Sequence, residues 1–97
     1  MAQVSHIRTA RERIDRYLDY LFREWNNVPD LVGEWEEWEE LDRLDFVLEW
    51  PIREDHVYQL KQWAAEGLLS PAQRARYDEL LRLVERNRPI LNDLLAE

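Results

Sequence analysis

Side chains suited to proton transfer and nucleophilic attack near neutral pH are few in this sequence: histidine occurs only at His6 and His56, and serine only at Ser5 and Ser70. There is no cysteine, which removes thiol catalysis, thiolate zinc sites and disulfide frameworks. His6 sits at the start of an amphipathic segment and reads as a solvated side chain. His56 follows Glu54 and Asp55 and borders the apolar positions Leu60 and Trp63, the setting of a partly buried, hydrogen-bonded histidine. Its alternative role is a polar group at the rim of an apolar pocket. Ser70 precedes a proline and fits a helix cap better than a nucleophile, so no nucleophile, base and orienting group come together.

Carboxylates are abundant, and the densest run is Glu34, Glu36, Glu37, Glu39 and Glu40. Offsets of three and four residues could place several of them on one helix face, where a divalent ion would meet only unsupported glutamates. A tight site also needs converging carbonyls and a second shell. Helical di-metal proteins pair glutamates with Glu-x-x-His, and no such spacing occurs; His-Glu-x-x-His, the EF-hand loop, the P-loop and the dinucleotide fingerprint are also missing. Carboxylates and Tyr58 could do acid–base work if burial shifted their pKa values, but no pattern asks for it. The expectation is a protein without catalytic activity, metal or cofactor.

The distribution of charge is more informative than its total of −8. Residues 29–55 carry eleven acids against two bases, Arg43 and Arg53, whereas the flanking stretches are close to balanced. An acidic surface argues against a phosphate-binding protein, so nucleic acid is not an expected ligand. The twelve arginines are scattered and form no phosphate-binding cluster. No run approaches the length of an apolar membrane span and the amino end has no signal-peptide core, which leaves a cytoplasmic protein as the expectation.

These residues must be positioned by helices. Two glycines, Gly33 and Gly67, and four prolines, Pro29, Pro51, Pro71 and Pro89, punctuate the chain, and 97 residues suffice for one domain spanning residues 1–97. In residues 5–25 the apolar positions Ile7, Ala10, Ile14, Tyr17, Leu18, Leu21, Phe22 and Trp25 form one helical stripe. A second helix is expected from Asp30 as N-cap, with Leu31, Trp35, Trp38 and Leu41 turned inward and Glu36, Glu37 and Glu40 outward. Residues 46–50 fit a buried helix end or a short extended stretch, and helix is the preferred reading; Pro51 should end it.

A short third helix over residues 52–66 should bury Val57, Leu60, Trp63 and Ala64 and stop at Gly67. Ser70-Pro71-Ala72-Gln73 matches a capping box with proline at the first helical position. The helix it opens should bury Tyr77, Leu80, Leu81 and Val84, and resume the same face at Leu91, Leu94 and Leu95 with a kink or break near Pro89. The fold class is therefore all-α, a small bundle of four to five helices with short connections and antiparallel neighbours.

Two functional readings follow. The first is an interaction protein, an adaptor, inhibitor or antitoxin-like partner, that offers Glu36, Glu37 and Glu40, with Glu34 and Glu39 beside them, to a basic protein. An acidic ridge that merely keeps a tryptophan-rich domain soluble is its plain alternative. The second is a small-ligand or metal-binding helical domain with a pocket of Trp35, Trp38, Trp50 and Trp63 and His56 at the rim. Aromatic and leucine-rich faces beyond what one small core can cover also make a symmetric homodimer an option.

Overall fold

The computed structural model describes residues 2–96, with side chains from Arg8 to Ala96; Ser5, His6 and Ile7 therefore lie outside the described side chains. The described chain is helical almost throughout and contains no strand. Three long helices, α1 (Ala2–Asn26), α3 (Glu40–Ala65) and α4 (Pro71–Leu95), carry the fold. A short α2 (Val28–Glu34) and one 3-10 turn (Trp35–Glu37) link α1 to α3. The all-α class holds, and the count of four to five helices gives way to three long ones with a short connector.

Helix α1 forms for the reason its periodicity suggests: Ile14, Leu18, Leu21 and Trp25, at steps of three and four, are completely buried. Its last turn is closed by Asn27 N donating to Arg23 O at 3.2 Å. Asn87 of α4 donates from Nδ2 to Trp25 O at 2.8 Å, satisfying a carbonyl that the helix end leaves without an intrahelical partner. Asp30 is not the N-cap of the next helix. Asn27 holds that position, Pro29 falls in the first turn where its missing N–H costs nothing, and Asp30 complements the helix dipole from inside.

The helix expected from Asp30 onwards is interrupted. Trp38 and Glu39 have extended backbones, with ψ of 144° and 152°, and α3 begins only at Glu40. Gly33 weakens the helix from within, and stacking Glu36, Glu37 and Glu40 on one face would set like charges at helical spacing. Trp35 instead drops into a small apolar cluster with Leu31 and Leu94, against which Trp38, Phe46 and Val47 pack.

Pro51 does not end a helix. Residues 46–50 are helical, and α3 continues through the proline to Ala65, which merges the expected second and third helices. An interior proline costs about 3 kcal/mol, and it is tolerated because both sides are anchored. Trp50 is buried against Trp25, and Glu54 is clasped by Arg88 through two contacts of 3.0 Å. Pro89 likewise lies within an unbroken α4, so the break allowed there does not occur.

The termini of α3 and α4 obey local chemistry. Gly67 has φ of +73° and follows the C-cap Glu66; Gly67 N donates to Ala64 O and Leu68 N to Trp63 O, the paired bonds of a Schellman ending. Ser70 and Gln73 cap α4 reciprocally. Tyr77, Leu80, Val84, Leu91 and Leu94 are buried as expected, while Leu83 takes the inward place assigned to Leu81, which is partly exposed.

Helix α1 packs against both α3 and α4. Contacts of Trp50 with Trp25 and of Trp63 with Tyr17 make α3 antiparallel to α1. Those of Gln73 with Asp15 and of Asn87 with Trp25 make α4 parallel to it. Helix α2 folds onto the C-terminal half of α4. Helices α3 and α4 touch each other sparingly, so one side of the bundle stays open. The molecule measures 52 × 23 × 16 Å, and its radius of gyration of 15.6 Å exceeds the ~12.5 Å of a compact chain of this length.

Candidate functional site

The acidic residues gather where the short connector meets α3. Glu36 and Glu37 lie in the 3-10 turn, Glu34 precedes it, Glu39 is the N-cap of α3 and Glu40 its first residue. All five side chains are exposed. They do not form a ridge along one helix, because the break at Trp38 and Glu39 spreads them over a turn and a helix start. Glu40 and Asp42 also gain from the α3 dipole, which gives part of the cluster a structural role.

Among the described residues, the only ion pair to these five is a 4.0 Å contact between Arg43 and Glu36. The other arginine of the acidic stretch is committed elsewhere: Arg53 lies 3.6 Å from Glu24 of α1 and sits over the rings of Phe46 and Trp50. Arginines of α4 pair with Asp19 and Glu54, not with the cluster. The negative surface continues along α3 through Asp42, Asp45 and Glu49, exposed and without an ion-pair partner among the described residues.

The aromatic residues expected to line one pocket fall into two groups. Trp38, Trp35, Phe46, Trp50 and Trp25 form a continuous chain of ring contacts with centroids 5.1–5.7 Å apart. Trp63 and His56 lie towards the other end of α3 and stack against Tyr17 at 5.1 and 4.7 Å, with Tyr20 also beside His56. Thirteen residues of helix separate Trp50 from Trp63, about 20 Å. A single pocket of Trp35, Trp38, Trp50, Trp63 and His56 is therefore not formed. The Nδ1 atom of His56 is enclosed without a hydrogen-bond partner, so the expected bonded histidine is instead held by ring contacts.

Among the described residues no three His, Asp or Glu side chains converge as a metal ion would require, and no helix is long and apolar enough to cross a membrane. Away from these residues, burial raises the Tyr77 hydroxyl above its usual value, opposed by Arg74 and assisted by Asp78.

Sequence reasoning missed a second apolar surface on α3. Leu41, Leu44, Leu48 and Ile52 are 71, 50, 66 and 53% exposed. At 100° per residue they fall in an arc of about 80°, away from the inward side that carries Phe46 and Trp50. Beside this stripe, between α3 and α4, lie two neighbouring hollows. One of about 400 Å³ is lined by Trp35, Leu44, Val47, Leu94 and Leu95, with Glu40 and Arg43. The next, about 380 Å³, shares Val47 and Leu95 and continues past Trp50 and Leu91 to Glu54 and Arg88. The signal lies in the steps of three and four from Leu41 to Ile52, but the spacing from Leu31 through Trp35 and Trp38 points Leu41 to the inward face with the indoles.

No family model, curated protein or solved structure matches the chain.

Proposed function

We propose that this chain is a small non-enzymatic interaction module, an adaptor, inhibitor or antitoxin-like protein, that meets a basic protein through its acidic surface. The observation that carries this reading is the exposed, unneutralised set Glu34, Glu37, Glu39 and Glu40, extended by Asp42, Asp45 and Glu49, while the arginines near it are spent on other partners. Carboxylates left uncompensated repel one another in the free protein. A cationic surface relieves that repulsion, and complementary fields speed encounter and reject wrong partners.

Affinity capture from native lysate at low and high salt tests the reading, with a Glu36→Gln, Glu37→Gln, Glu40→Gln variant as control. A basic protein retained at low salt, released at high salt and lost with the variant is the expected result. Retention of nothing at low salt, or of the same proteins by the neutralised variant, sinks it.

A further inference from the structure

The inference below rests on the interaction reading and specifies its partner. The molecule exposes 6812 Å², about 900 Å² more than an average monomer of its mass. The elongated shape accounts for part of that excess. The largest exposed apolar side chains concentrate on α3, where Leu41, Leu44, Leu48 and Ile52 form an unpartnered stripe about 17 Å long beside the open trough between α3 and α4.

The charges of α3 next to this stripe on the helical wheel are acidic, whereas the two bases of the adjoining trough, Arg43 and Arg88, are paired with Glu36 and Glu54. On the helical wheel Asp45 and Glu49 follow it on one side and Glu40 on the other, and Asp55 continues it one turn beyond Ile52. All four are exposed and lack an ion-pair partner among the described residues. Of the two bases in this half of α3, Arg53 sits over the rings of the inward side, and Arg43 lines the hollow, where Glu36 lies 4.0 Å from it.

A second copy of the chain is a poor occupant for such a surface. Whichever direction two stripes run, carboxylates oppose carboxylates, and each copy brings a net charge of −8. An apolar ridge with acidic borders fits the opposite pattern. We propose that the Leu41, Leu44, Leu48 and Ile52 stripe seats an amphipathic, lysine- or arginine-rich helix of a partner protein. Its apolar residues lie on the leucines and the α3–α4 trough, and its cations on Glu40, Asp45, Glu49 and Asp55. A helix is the matching shape, because anchors at steps of three and four interdigitate with a stripe of the same spacing. The seated helix becomes the fourth long member of the bundle on its one open side.

The test uses the full chain and three labelled probe peptides: an amphipathic helix of leucine and lysine, a scrambled peptide of identical composition, and an oligolysine without leucine. Anisotropy titrations at low and physiological salt should show the amphipathic peptide binding about tenfold tighter than the scrambled one. A Leu48→Ser, Ile52→Ser variant should lose that advantage; both positions are exposed, and an unchanged thermal melt confirms that the fold is intact. Asp45→Asn with Glu49→Gln should weaken binding and flatten its salt dependence.

If all three peptides bind alike and the Leu48→Ser, Ile52→Ser variant changes nothing, the inference fails while the acidic-surface reading stands. Should no cationic peptide bind at low salt, both fail. A dimer seen by native mass spectrometry and dissolved by Leu48→Ser would overturn the inference in favour of a second copy.

Discussion

Gln73 donates from Nε2 to Asp15 Oδ1 at 2.8 Å and to Arg11 O at 2.9 Å, while its Oε1 accepts from Ser70 N. One buried amide thus completes the N-terminal cap of α4 and ties that helix to α1. Replacing it by alanine should cost about 2 kcal/mol, as a lost cap and a lost buried bond together. Gln73→Glu is the sharper probe, since it keeps the capping oxygen but sets a carboxylate against Asp15. Chemical denaturation should find Gln73→Glu destabilised and Asp15→Asn restoring part of the loss; equal stability of Gln73→Glu and the parent would refute the clamp.

Asn87 does similar work at the other end of the α1–α4 contact, where its Nδ2 serves Trp25 O. Asn87→Leu keeps the branched shape in a larger side chain but leaves that buried carbonyl unsatisfied, a cost of roughly 1–3 kcal/mol. Urea unfolding of the variant measures it.

Tyr77 supplies the pH dependence. Its hydroxyl is raised by burial, so the folded state holds a proton that the unfolded chain releases at lower pH. Protons bound in excess by the native state make stability fall as pH rises. The contribution is fully present below the ordinary tyrosine value of about 10 and is lost as pH rises from there through the raised value of the folded state. Melts across the alkaline range should show a steeper decline for the parent than for Tyr77→Phe.

Self-repulsion gives a fourth expectation. With a net charge of −8 and most of the excess in residues 29–55, screening by salt should raise the melting temperature. Glu37→Gln should raise it at low salt by a few tenths of a kcal/mol in stability and leave it unchanged at high salt. A melting temperature independent of salt would show the acids to be compensated.

Local chemistry was legible in the sequence. The α1 stripe of Ile14, Leu18, Leu21 and Trp25, the Ser70 and Gln73 capping box and the Gly67 ending all follow from residue type and spacing, and the folded chain bears them out. Events decided by tertiary contacts were not. Pro51 stays inside a helix because Trp50 and Glu54 are held from outside it, and nothing within a window around the proline encodes Arg88 or Trp25. The halt at Trp38 and Glu39 depends on Trp35 docking beside Leu94, some sixty residues away.

The candidate site was half legible. Charge along the chain locates its acids, but a single ridge requires a continuous helix, and the chain breaks at Trp38 and Glu39. Periodicity places Leu41 in the core because it reports that a face exists and not whether it is covered. Helix α3 has two apolar faces in its first half, and only packing against α1 and α2 distinguishes the covered one.

A body 52 Å long and 16 Å thick also experiences more friction in water than a sphere of equal mass. Its diffusion is slow for 11.9 kDa, and on a gel-filtration column calibrated with rounder proteins a single chain elutes early, in the position of a larger species. A helix seated along the flank would add mass but chiefly thicken the rod, so the complex would migrate nearer to its true weight than the free protein does.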